Sequence, residues 1–205
     1  MPSVKANRFN VKRIVYAVIS KDDKTAFTHG TIKDFAVPMQ VQLTPTLATG
    51  QYYGGGAKTE DESRITGYEL QLEVNKIFPE VRAEIFGHTY ENGRVIVKTS
   101  DQPKDIAIGY EVDETGGHRE LVWFYKGKAR PFAQTVQQTT NSINYSSDTV
   151  TIGCMPREHD EKIMEFGDTA NSDFSEEDAE AFLDEIPGGT PDPETSPEPD
   201  PAPEG

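Results

Sequence analysis

Tyr68-Glu69-Leu70-Gln71-Leu72-Glu73-Val74-Asn75 decides the reading of this chain: four apolar residues alternate with four polar ones. Successive side chains of a strand point to opposite faces, so a period of two predicts a strand with one face on a core and the other in water. The period changes directly afterwards. From Ile77 to Phe86 the apolar residues Ile77, Val81 and Ile85 recur every four positions, with Phe78 and Phe86 beside that stripe. Pro79 suits a first helical turn, Glu80 suits the positive end of the helix dipole, and Gly87 can take a left-handed cap. A helix over about 77–86 is therefore expected to pack Ile77, Val81, Ile85 and Phe86 against the sheet.

The flanking sequence extends the β reading in both directions. Upstream, residues 11–19 are rich in β-branched side chains, and the polar turn Lys21-Asp22-Asp23-Lys24 leads into Ala26-Phe27-Thr28, which predicts a hairpin. Residues 35–39 form a short apolar connection carrying Pro38, after which Gln40-Val41-Gln42-Leu43 alternates, with Val41 and Leu43 on one face. Downstream, Asn92-Gly93 between His88-Thr89-Tyr90 and residues 94–98 predicts a hairpin whose two central residues need positive φ. Residues 106–112, the turn Gly116-Gly117 and residues 121–125 predict another. Val122, Trp123, Phe124 and Tyr125 are all apolar or aromatic, so that strand is expected to be covered on both faces. Residues 149–154 and 162–166 complete the expected strands.

Residues 44–67 stand apart. They contain Leu47-Ala48-Thr49-Gly50-Gln51-Tyr52-Tyr53-Gly54-Gly55-Gly56 and then the charged run 58–64, with neither helical nor strand periodicity. They are expected to form a long arm loop. Two readings stay open: a surface loop, or an arm that orders against a partner chain through Gln51, Tyr52, Tyr53, Gly54, Gly55 and Gly56.

The charge has an address. Of the formal −15 in 205 residues, none belongs to residues 1–155, which hold 18 acids and 18 bases; residues 156–205 hold 17 acids and 2 bases. The expected organisation is one β domain over 1–166, followed by an acidic tail over 167–205. Ser175 is a fitting N-cap for a short amphipathic helix at about 176–186, with Ala179, Phe182, Leu183 and Ile186 on one face. Seven of the 14 prolines lie from Pro187 onward, so residues 188–205 are expected to be disordered and extended.

Several function classes lose support. No apolar run approaches the ~20 residues of a membrane helix, and no secretory leader is recognisable, so a soluble chain starting in the cytoplasm is expected. The single cysteine, Cys154, excludes an intramolecular disulfide and a multi-cysteine metal cluster, and its apolar surroundings favour a buried thiol over a nucleophile. His29, His88, His118 and His159 share no ligand spacing, so no metal is expected. No G-x-S-x-G elbow occurs, and Gly54-Gly55-Gly56-Ala57-Lys58 lacks the context of a phosphate loop. With 18 acids before Pro156, carboxylate pairs carry no specificity. Trp123-Phe124-Tyr125 reads as core rather than as a sugar-stacking platform. Clustered cations for nucleic acid are missing. Neither an enzyme nor a cofactor is expected.

As ordered blocks, the chain resembles the major tail protein (tail tube protein) family of long-tailed, non-contractile bacteriophages of Gram-positive bacteria. The matching pieces are Asn10-Val11-Lys12-Arg13-Ile14-Val15-Tyr16-Ala17, residues 68–74, Phe78-Pro79-Glu80-Val81-Arg82-Ala83-Glu84-Ile85-Phe86-Gly87-His88, Gly109-Tyr110, and Leu121-Val122-Trp123-Phe124-Tyr125-Lys126-Gly127-Lys128 with Pro156-Arg157-Glu158 downstream. The resemblance spans about residues 11–166. It implies a mainly β, sandwich or barrel-like tail-tube fold with one flanking helix. It also implies hexameric rings stacked into a hollow tube around a tape-measure protein, with tail terminator and distal tail proteins as further partners. DNA would be transient cargo in the lumen, and no membrane would be involved. The location would be the virion tail, and the host cytoplasm during assembly. The arm at 44–67 would reach into the next ring, residues 1–10 could be a second arm, and the acidic tail would lie outside the tube. The competing expectation is a β-sandwich carbohydrate-binding or adhesion module using Tyr52, Tyr53 or Trp123.

Overall fold

The computed structural model describes residues 6–54, 57–132, 134, 136, 138 and 146–193, and of residues 51–54 and 57–61 the backbone alone. In chain order its elements are β1 (Arg8–Asp23), β2 (Ala26–His29), β3 (Lys33–Asp34), β4 (Pro38–Gly54), β5 (Ala57–Val74), α1 (Pro79–Phe86), β6 (Thr89–Glu91), β7 (Arg94–Ile96), β8 (Asp105–Glu114), β9 (Arg119–Ala129), β10 (Asp148–Cys154), β11 (Met164–Asp168), α2 (Glu176–Phe182) and β12 (Thr190–Pro191). The protein is mainly β. The large sheet follows the path β12-β2-β1-β8-β9-β10-β5-β4, with β3 on β1 and β11 on β9, while β6 and β7 form a separate hairpin.

Strand β9 is where the sheet divides. One side pairs with β8 throughout; the other pairs with β11 along residues 120–124 and with β10 along residues 127–129. Two layers result. Alternate side chains of β1, β8 and β9 serve two different cores, as strand geometry requires. Ile14, Tyr16, Ile106, Ile108, Val122 and Phe124 meet Leu70, Leu72 and Val74 of β5 and Val150 and Ile152 of β10 in the main core. Their neighbours of opposite parity, Val15, Ala17, Ala107, Leu121, Trp123 and Tyr125, form a second core with Ala179, Leu183 and Ile186. Both faces of β9 are covered, as its unbroken apolar run predicts. Cys154 is buried in the main core.

The predicted turns appear where expected. Asn92 and Gly93 have φ of 50° and 75° between β6 and β7, and Gly116 and Gly117 also have positive φ between β8 and β9. Helix α1 is shorter than the expected 77–86. Phe78 precedes a proline, is held extended (ψ 149°) and acts as N-cap, so the helix begins at Pro79. Ile77 is buried ahead of the helix and its amide donates to Asp148 Oδ2 (2.9 Å), whereas Phe78 is exposed rather than packed beside the stripe. Ile85 and Phe86 are buried, Val81 is partly buried against the same core, and Gly87 caps the end at φ 69°.

The expected boundary at residue 166 is corrected. After β11, Ser175 and Asp178 form a reciprocal capping box, α2 runs to Phe182 rather than 186, and Ala179, Leu183 and Ile186 lie on Trp123 and its neighbours. Trp123 Nε1 donates to Phe182 O (2.6 Å). The strap ends with β12 parallel to β2, and the Asp192 amide donates to His29 O (2.7 Å). Its clamp is Arg157, buried over the rings of Tyr125 (4.0 Å) and Phe27 (4.7 Å), donating to Pro187 O (3.0 Å) and to both carboxylate oxygens of Asp160 (2.6 Å each). The fold thus has a second helix, and the acidic segment is not one appendage: 13 of its 17 acids precede Glu194. Residues 194–205, the core of the predicted disordered end, lie outside the described residues, as do residues 1–5 of the second expected arm.

Candidate functional site

The arm at 44–67 is corrected from a loop to strands: β4 and β5 pair along their length as one antiparallel ribbon. Its base belongs to the sheet, where Val41, Leu43 and Pro45 lie opposite Leu72, Leu70 and Tyr68. Residues two apart on a strand share a face, so Leu47 continues the row of Val41, Leu43 and Pro45. In a regular ladder Leu47 would meet Thr66, a polar residue. The register shifts between Thr46 and Leu47, Thr66 becomes the extra residue of a bulge, and Ile65 lies opposite Leu47 instead. Thr66 Oγ1 donates to Thr46 O (3.1 Å) across this bulge. One apolar stripe therefore runs from the core out along a single face of the ribbon. The other face carries Gln42 with Gln71, Thr44 with Glu69, Ala48 with Arg64 and Gly50 with Glu62.

This outer stripe has no cover among the described residues. Residues 42–50 and 62–66 are exposed, Leu47 at 49% and Ile65 at 46%. The far edge of β4 pairs with no strand among the described residues, leaving a row of backbone donors and acceptors interrupted at Pro38 and Pro45. A bare two-stranded ribbon is marginal alone in water, and an exposed apolar row rimmed by polar residues marks a contact surface.

The stripe opens into a groove of about 630 Å³ between the start of β1, β4 and β11. Tyr110, Val112 and Val122 line it, and Phe9 (68% exposed), Met39 and Phe166 (63% exposed) stand on its rim. Val41 and Leu43 belong to both groove and ribbon, so the two are one surface. Charge gathers at its end. Arg8 donates to Glu120 (2.7 Å from Nε) and lies 4.0 Å from Glu114. Glu114 is buried and its Oε2 has no hydrogen-bond partner among the described residues; burial first, then Asp168 and Glu120, raise its pKa against the opposing pull of Arg8 and His118.

Burial pushes the Cys154 thiol and the Tyr110 hydroxyl each up to about 12, which removes them as nucleophiles at neutral pH. The histidines are apart: His29 Nδ1 lies 2.8 Å from Gly30 O, His88 Nδ1 2.8 Å from Asp101, His118 follows the β8–β9 turn, and His159 has a buried Nδ1 without a partner among the described residues. Among the described residues no group of three or more His, Cys, Asp or Glu could hold a metal ion.

Of the predicted assembly residues, Gln51, Tyr52, Tyr53 and Gly54 lie at the outer end of β4, paired with Asp61, Glu60, Lys58 and Ala57; Gly55 and Gly56 lie outside the described residues. Ile77, Val81, Ile85 and Phe86 all join the main core. The sequence places Val41 and Leu43 on one face; that Pro45, Leu47 and Ile65 continue it was missed, although the alternation Val41, Leu43, Pro45, Leu47 was present to be seen. Compared with models of known protein families and with curated proteins, the chain gives no match.

Proposed function

We propose that this chain is a structural subunit that assembles with copies of itself, and specifically a major tail (tube) subunit of a long-tailed, non-contractile phage. The observation that carries the reading is the ribbon, whose apolar stripe and open β4 edge find no cover among the described residues. A neighbouring copy is the natural cover. Heterologous contacts of this kind, ribbon on one copy and a different surface on the next, close into rings or continue into tubes. Stacked hexameric rings around a tape-measure protein, with DNA as transient cargo and terminator and distal tail proteins at the ends, follow from the sequence resemblance. On this reading the protein resides in the virion tail and catalyses nothing.

The adhesion-module reading loses one of its residues, since Trp123 is fully buried beneath the strap and reaches no ligand. Electron microscopy of the concentrated protein tests the proposal. Six-membered rings or tubes are expected, and their loss in a folded Leu47→Ser/Ile65→Ser variant would tie them to the stripe. Monomers under every assembly condition, together with glycan binding, would overturn it.

A further inference from the structure

A second cavity, of about 280 Å³, lies between the C-terminal end of α1 and the chain that follows β9. Its floor is aromatic. The buried Phe86 ring stacks on His88 (5.7 Å between centroids) and lies 5.9 Å from Phe132, and Pro103 and Pro131 flank the rings. Its rim is cationic. The Arg82 guanidinium sits 5.2 Å over the Phe132 ring, and Lys98 is exposed beside it. Asp101, the one carboxylate in the lining, is already engaged by His88 Nδ1 and by the Lys98 amide, each at 2.8 Å. Neither the Arg82 nor the Lys98 side chain makes a salt bridge among the described residues.

Aromatic and proline rings beside two cations suit one ligand chemistry: an acidic, proline-rich peptide. Proline rings pack on aromatic planes at little entropic cost, and carboxylates pair with guanidinium and ammonium groups. The chain carries such a peptide. Beyond Pro193 it reads Glu194-Thr195-Ser196-Pro197-Glu198-Pro199-Asp200-Pro201-Ala202-Pro203-Glu204-Gly205, with four acids, four prolines and no base. Its attachment is fixed, because β12 and the Asp192 amide hold the strap on β2. Twelve residues can span about 40 Å. A compact body with the ~16 Å radius of gyration expected for a folded chain of this size is about 40 Å across, so the fully extended segment matches the width of the body.

We propose that residues 194–205 dock in this cavity of their own chain, with prolines on Phe86 and Phe132 and carboxylates on Arg82 and Lys98. Docking would neutralise the rim and hold the last acids of the chain against the body. It does not depend on tube formation and applies equally to a lone subunit.

Spin labels on a full-length Gln102→Cys/Ala202→Cys chain test this by the distance between them, in monomers or in assemblies. Cys154 stays unlabelled because it is buried and its thiol is pushed up to about 12. One narrow, short distance is expected. It should give way to a broad, longer distribution when Arg82→Glu and Lys98→Glu are added, and when salt is raised. A tail carrying Glu194→Gln, Glu198→Gln, Asp200→Asn and Glu204→Gln, which leaves the body untouched, should lose it as well. A broad distribution in the parent chain overturns the proposal, as does a short distance that survives either set of charge changes. Loss of the short distance on dilution with unlabelled chain would also overturn it, because the tail would then be reaching a second copy.

Discussion

Strands β4 and β5 pass through two environments without changing their pattern. At the base, Leu70, Leu72 and Val74 are fully buried against β1, β8 and β9; in the outer half, Leu47 and Ile65 continue the same face in water. Hydrogen-bonded pairing is common to both halves. What differs is the second layer, which ends where the ribbon leaves the body. Alternation alone therefore specifies a face, and the covering layer decides whether that face stabilises the monomer or waits for another molecule.

Substitutions should separate the two halves. Leu72→Ala leaves a cavity in the main core and should cost about 2–5 kcal/mol in chemical denaturation. Gly67 marks the border: a Cβ there would lie 2.5 Å from Cys154 O on β10, whereas a Cβ on Gly50 meets nothing within 4 Å. Gly67→Ala should cost about 1–3 kcal/mol and Gly50→Ala within about 0.5 kcal/mol, read by the same unfolding curves. Equal costs would erase the boundary drawn here.

Acid should loosen the strap and spare the ribbon. The Arg157 guanidinium holds the Asp160 carboxyl down to about 2, below its usual value near 3.8. A depressed carboxyl stabilises the fold above its unfolded pKa, and that contribution is lost as pH falls from about 4 through about 2. Fluorescence of Trp123, the single tryptophan, reports this release, and Asp160→Asn should remove the step. Glu114 has the opposite sign: its raised pKa makes the charged form unfavourable, so Glu114→Gln should stabilise the protein at neutral pH. The smallest effect on stability is expected from Leu47→Ser/Ile65→Ser, within about 0.5 kcal/mol, with assembly abolished in electron micrographs. A large loss of monomer stability instead would show that the outer stripe is covered within the chain.

Legibility in the sequence followed local signals. Asn92-Gly93 and Gly116-Gly117 announce their turns through positive φ, Pro79 and Gly87 bracket α1, Ser175 announces α2, and the unbroken run 122–125 announces a strand without a wet face. The ribbon was hidden because a one-residue bulge at Thr66 shifts the phase of β5 against its own base, so that Ile65 falls out of step with Leu70 and Leu72. Glycines and the charged run 58–64 completed the disguise. The apolar face of α2 was legible at Ala179, Leu183 and Ile186, but its destination was not: Trp123 lies some sixty residues earlier, and composition made the whole segment look like a solvated tail. The groove was equally hidden, since Phe9, Met39 and Phe166 come from three distant strands.

The strap also settles where the polypeptide can be cut. Ending the chain at Phe166, the expected end of the β domain, would strip Ala179, Leu183 and Ile186 from Trp123 and take away the Pro187 carbonyl that receives Arg157. A floor of tryptophan, tyrosine and leucine would then face water around a stranded guanidinium, and the fragment should precipitate. Ending it after Pro193 removes none of these contacts.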